Sequence, residues 1–251
     1  MKATLISAGL VLATLMSQAS VAKDVQVKIT NLMQTTNITP LLIAAHSTNL
    51  NFYDLGAPAS LHLQMTAEGG DISGLVADTV AAGANYVENP AAGRLAPGAT
   101  TSAVIAITNS ANQYLSVAAM LIPTNDGFVG ADSIAIPTEA GTYTYYLNGY
   151  DAGTEANSEI IVSGGGVPGV PGIPGDPTGY AGTGGTGVID HEVNSMVHVH
   201  PGQLGDLDET GGFSDMDSRV HSWLNPVAKL EITVTCDTTE KKSGKQTSCG
   251  K

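Results

Sequence analysis

Val25-Gln26-Val27-Lys28-Ile29-Thr30 alternates without a break: Val25, Val27 and Ile29 share one face of an extended chain, and Gln26, Lys28 and Thr30 share the other. A period of two marks a half-buried strand. The pattern returns far along the chain, where Ala228, Leu230, Ile232 and Val234 alternate with Lys229, Glu231, Thr233 and Thr235. Between these ends, β-like runs at 40–45, 101–108, 114–122, 142–147 and 195–200 are each bounded by Gly, Pro, Asn or Asp. Several short strands at such spacing predict an all-β antiparallel sandwich. Two stretches are predicted helical instead. Residues 59–68 run into Gly69-Gly70 as a stop, and within 72–82 the side chains of Ile72, Leu75, Val76, Thr79 and Val80 fall on one face.

The segment 164–187 differs in kind, because Gly166-Val167-Pro168-Gly169-Val170-Pro171-Gly172-Ile173-Pro174-Gly175-Asp176-Pro177 forms four collagen-like triplets. Four triplets are too few to hold a triple helix, so the segment reads as an extended, polyproline-like loop or linker inserted in the domain.

Lys2 precedes an apolar run from Ala3 to Met16, and Ser20-Val21-Ala22 supplies a small-x-small cleavage pattern, so residues 1–22 read as a signal peptide. Nothing later offers about 18 uncharged apolar residues in a row, so no membrane insertion is expected after cleavage. The remaining 229 of 251 residues suit one β domain over 23–236 with a basic tail at 237–251. Cys236 and Cys249 are the only two cysteines. In an oxidising compartment a bridge between them is expected, stapling the tail with about 3 kcal/mol by the loop-entropy argument. Charge is uneven: residues 24–240 hold four basic against 23 acidic side chains, a formal net charge of −19. Such a field repels nucleic acid and anionic lipid and attracts cations, although it also serves solubility.

Several phrases resemble, in order, the spondin N-terminal domain, the family of F-spondin, mindin and many bacterial secreted proteins. They are Ile29-Thr30-Asn31-Leu32, Ile38-Thr39-Pro40-Leu41 with Ala45-His46-Ser47, Gly56-Ala57-Pro58-Ala59 and Ala67-Glu68-Gly69-Gly70-Asp71. More specific are the run from Ser116 through Pro123-Thr124-Asn125-Asp126-Gly127 to Gly130, Tyr150-Asp151-Ala152-Gly153-Thr154-Glu155, and Asn225-Pro226-Val227-Ala228 before the last strand. The resemblance implies a C2-like β-sandwich with a calcium ion held by loops at one end, used in the animal proteins for extracellular adhesion and recognition. The family's metal-binding aspartates match Asp126, Asp151 and Glu155. The chain departs from the animal motif at Gly127, where that motif has an aromatic, and at Glu155, where it has aspartate; the extra methylene is within the tolerance of a flexible calcium shell.

The residues' own chemistry agrees in part. Calcium takes six to eight oxygens, so it needs carboxylates on glycine-containing loops with free carbonyls nearby, and both loops qualify, although acidic turns are also common without metal. A second acidic stretch, Asp206-Leu207-Asp208-Glu209-Thr210-Gly211 continuing to Asp217, places carboxylates at positions 1, 3 and 12 with glycine at 6, imitating an EF-hand loop. Its departures are Thr210 at position 5 and the short Asp217 at 12, and a solvated acidic loop is the competing reading. His198 and His200 alternate on an expected strand, and with His191 and His221 they raise a zinc or copper site and a metal-dependent hydrolase as the alternative. No nucleophile elbow or phosphate loop is present, so binding rather than catalysis is expected, with a passive matrix component as the third possibility. The partner would be an extracellular protein or polysaccharide.

Overall fold

The structure is a computed structural model that describes residues 23–188 and 195–235. The expected signal peptide at 1–22, His191, the expected Cys236–Cys249 bridge, and the 237–251 tail lie outside the described residues. In chain order the elements are β1 (Lys23–Asn31), β2 (Asn37–Ile38), β3 (Leu42–His46), α1 (Leu61–Gly69), α2 (Ser73–Ala81), β4 (Asn85–Glu88), β5 (Thr100–Ile107), β6 (Tyr114–Ile122), β7 (Gly127–Ala135), β8 (Gly141–Asp151), β9 (His198–Val199) and β10 (Ala228–Val234).

The two alternating ends meet. β1 lies antiparallel between β10 and β5, with Val27 opposite both Ile232 and Ala103. The full path runs β4-β3-β6-β7-β8-β10-β1-β5, every pairing antiparallel, with β2 on β6 and β9 on β8. This path folds over on itself as a sandwich. Val25, Val27 and Ile29 of β1, Leu230 and Ile232 of β10, and Ile105 of β5 pack in one core with Ile43 of β3 and Val117, Ala119 and Leu121 of β6. Each valine, leucine or isoleucine side chain among them, fully buried, contributes about 1.5–3 kcal/mol. The helices cover the outer face of the other half, where Leu75 of α2 packs on Leu42, Ala44 and Ala118, and Leu63 and Ala67 of α1 pack on Phe128. Helix α1 starts where the Ser60 hydroxyl accepts the Leu63 N–H and stops at Gly70, whose φ of 70° is left-handed.

Strand β7 escapes the period-two reading because it is buried on both faces from Gly127 to Ala131 and so shows no alternation. Its glycines are there for close approach: a Cβ on Gly130 would stand 2.8 Å from the Tyr53 ring, and one on Gly127 would stand 2.7 Å from the Thr124 hydroxyl. Gly149 of β8 is similarly placed, 2.9 Å from the Trp223 ring and 3.0 Å from Leu121 by the same measure. Gly149→Ala is therefore expected to lower the urea midpoint by the equivalent of about 1–3 kcal/mol, the cost of overpacking a filled site, and an unchanged midpoint would show that Trp223 moves aside freely.

The Gly/Pro-rich insertion is packed rather than extended. Ile161 bridges Ile173, Val167 bridges Val170, and Ile173 is fully buried. The reason lies in two acidic side chains. Asp215, 3% exposed, accepts the N–H groups of Thr183, Gly184 and Gly185 on one oxygen (2.9–3.0 Å) and that of Ile161 on the other (2.8 Å). Gly182 and Gly184, at φ 83° and 81°, curl the backbone into a nest around this anion. Glu159, also buried, accepts from the Leu204 and Gly205 N–H groups and the Ser214 hydroxyl. Among the described residues, no helix is long and apolar enough to cross a membrane.

Candidate metal centre

The turn after β6 and the end of β8 are brought together by strand register, since Gly127 of β7 stands opposite Asp151 of β8. Asp126 is fully buried. Its Oδ2 accepts the Thr154 N–H (2.7 Å), the Thr154 hydroxyl (3.1 Å) and the Glu155 N–H (3.1 Å), while its Oδ1 is buried without a partner. Asp151, 1% exposed, accepts the Gly153 N–H on Oδ1 (2.7 Å) and the Asn157 amide on Oδ2 (2.6 Å). Glu155 is half-buried; its Oε2 accepts from Gly172 N–H (2.7 Å) and the Asn125 amide (3.2 Å), and its Oε1 is buried with no partner. The three carboxylates named in the sequence are thus tied into one loop cluster, and Gly172 of the insertion forms part of its wall.

Electrostatics mark the same cluster. Burial, reinforced by the charge of Asp151, pushes Asp126 up to about 7 against three hydrogen bonds that favour its ionised form. Burial likewise pushes Glu155 up to about 7, opposed by its bonds from Gly172 and Asn125 and assisted by Glu68. Glu68 is a member the sequence reading missed. It lies in α1, 1% exposed, with Oε1 bonded to Gln64 and Oε2 buried without a partner. The available signal was a charged residue beside the apolar Leu63/Ala67 face, just before the Gly-Gly stop.

Among the described residues, no three His, Asp or Glu side chains stand as a preformed metal cage. The donor set still fits a hard cation: three buried carboxylate oxygens, on Asp126, Glu155 and Glu68, have unspent lone pairs, and the site offers oxygen rather than sulfur. In each case the other oxygen of the carboxylate is held by hydrogen bonds, which fixes the group's orientation.

The other sequence candidates are placed differently. Asp206 spends its carboxylate on the N–H groups of Asp208, Phe213 and Ser214, and Asp208 accepts the Thr210 N–H. Asp217 forms a forked ion pair with Arg219, whose hydrogen bonds hold its carboxyl down at about 2. A side-chain cation therefore already faces the position-12 carboxylate. Of the histidines, His221 bonds Asp176 (3.1 Å), and His198 lies 3.7 Å from Asp151. The buried His200 accepts the Gly202 N–H on Nδ1 and packs against Trp223, and burial holds it down at about 4. The expected strand at 195–200 shortens to two residues, His198–Val199; of the two alternating histidines, His200 is buried and His198 stays partly exposed beside Asp151.

The Spondin_N family model matches residues 10–160, more than half of the chain. The chain belongs to the spondin N-terminal family. The spondin match takes in Asp126, Asp151 and Glu155 together with Glu68, and it ends before the Gly/Pro-rich insertion, β9 and β10. No curated protein matches the chain.

Proposed function

We propose that this spondin-domain chain is exported and binds one calcium ion through Asp126, Asp151 and Glu155, with Glu68 as a further donor. The observation that carries this reading is the fully buried Asp126, which has one oxygen locked by three hydrogen bonds, the other without a partner, and a carboxyl pushed up by burial and by Asp151. Buried carboxylates of this kind are relieved by a cation. Calcium would supply positive charge and flexible oxygen coordination, while the chain's own residues set the positions of the 123–127 and 151–157 loops. The ion is structural, and the ordered loop surface is the recognition or adhesion patch for an extracellular partner, with binding and no turnover.

The test is the thermal midpoint of the chelator-treated protein across a calcium titration, beside an Asp126→Ala, Asp151→Ala double variant. At a calcium concentration about 100-fold above Kd, mass action stabilises the folded state by about 2.7 kcal/mol. A clear upward shift in the wild type, absent in the variant, is the expected result. If both proteins keep the same midpoint throughout, the calcium reading is wrong; if zinc alone shifts the wild type and His198→Ala or His200→Ala removes the effect, the hydrolase reading takes its place.

A further inference from the structure

The β7–β8 hairpin is paired only over Gly127–Gly130 and Asn148–Asp151. Beyond that, β7 stays with β6 through Ala131, Ile134 and Ala135, whereas β8 leaves to pair with β10 from Leu147 back to Gly141. The hairpin therefore opens as a fork, and a cleft of about 440 Å³ lies in it, lined by Tyr146, Asn148 and Tyr150 of β8, Asp132 of β7, and the overhanging Asp54 and Leu55. That volume falls in the usual range of small-ligand sites.

Alternation along β8 puts Tyr146, Asn148 and Tyr150 on one face. The cleft wall at Tyr150 is well packed: its ring lies against Tyr53 and Phe128, and the Tyr53 ring in turn lies over Gly130. The mouth is open. Tyr146 is 64% exposed and Leu55 59% exposed, so both present apolar surface to water beside the concave site. The Tyr146 hydroxyl, the Asn148 amide and the Asp54 carboxylate make no hydrogen bond to any described residue.

We propose that this cleft binds a neutral oligosaccharide, a site separate from the metal centre and independent of calcium. The polar groups decide the class. An amide and a phenol offer donors as well as acceptors, as a ring of hydroxyls requires, and the Asp54 carboxylate adds acceptors for further hydroxyl donors. A free aromatic face beside them suits the apolar C–H face of a sugar ring. Asp54 and Asp132, in a body already at −19, exclude uronic acids and other anionic glycans. The fork is open at its mouth, so the cleft admits a stretch of a longer chain rather than a closed monosaccharide.

The experiment is calorimetric titration and saturation-transfer NMR of the intact chain with neutral cello-, xylo-, manno-, malto- and N-acetylchito-oligosaccharides of four to six units. Oligogalacturonate and an oligolysine peptide serve as comparison ligands. At least one neutral series is expected to bind, with contacts on sugar C–H protons, and Tyr146→Ala and Asn148→Ala are each expected to weaken it tenfold or more. Both side chains lie at the surface of β8, so an unchanged thermal midpoint certifies the fold, and the outcome is read without calcium. The proposal is overturned if no neutral series binds, if binding survives both substitutions, or if oligogalacturonate or oligolysine binds in preference.

Discussion

Asp215→Ala is expected to lower the stability of the folded chain by about 3 kcal/mol or more, a larger loss than any surface substitution in this protein should produce. The reason is the number of backbone donors that one carboxylate serves. Four N–H groups, from Ile161, Thr183, Gly184 and Gly185, converge on Asp215, and alanine leaves them with nothing. The four bonds are only partly buried, so each donor left unpaired costs toward the lower end of about 1–3 kcal/mol as water enters the relaxed loop. The glycines deepen the loss. With the anion gone, the left-handed turns at Gly182 and Gly184 have no partner to hold them, and glycine gives up more chain entropy on ordering than any other residue. Urea denaturation measures the global effect, and hydrogen exchange at residues 161 and 183–185 measures the local one. Retained protection of those amides in the variant would show that the nest stands without its anion. Asp215→Asn, which keeps one acceptor oxygen, should fall between the two.

That latch also shows where the sequence stops being informative. The strands at 25–30 and 228–235 were readable because each has one dry and one wet face, and β6 was bounded correctly at Tyr114–Ile122 by its length and turn residues. Both helices were visible from face periodicity and the Gly-Gly stop. β7 was not, because a strand buried on both faces has no period, and Gly127 and Gly130 argue against a strand until their neighbours Thr124 and Tyr53 are known. The insertion is legible as a loop, but its packing is hidden for a related reason. Low-complexity Gly/Pro sequence looks like linker unless a distant acid anchors it, and Asp215 is 30 residues from Gly185 in the chain while its carboxylate touches that N–H. At the candidate centre, Asp126, Asp151 and Glu155 were legible through the family phrases, whereas Glu68 comes from a helix and Gly172 from the insertion. Only the fold brings those two to the cluster.

The pH dependence of the calcium-free protein probes the same carboxylates directly. Asp126 has an ordinary value of 3.8 and is pushed up to about 7 in the folded chain, so the folded state holds its proton more tightly than the unfolded state does. Its contribution to stability is greatest below 3.8 and is lost as pH rises through about 7. Glu155, moving from 4.5 to about 7, acts in the same direction but less strongly, because it is only half-buried and screened. His200 works the other way: held down to about 4, it favours folding as pH rises from 4 to 6.5 and flattens the wild-type profile. The informative quantity is therefore the difference between wild type and Asp126→Asn, in which asparagine imitates the protonated acid. Without calcium the variant is expected to be the more stable at pH 8, by on the order of 2–4 kcal/mol, and to lose that advantage by pH 4.5. With calcium at pH 8 the order should reverse, since the ion compensates an ionised carboxylate and gains little from an amide. Thermal midpoints of the two proteins at both pH values, with and without calcium, give the whole comparison. Parallel profiles would mean that Asp126 keeps its proton-binding behaviour unchanged on folding, and the burial argument for a cation at this cluster would fall with it.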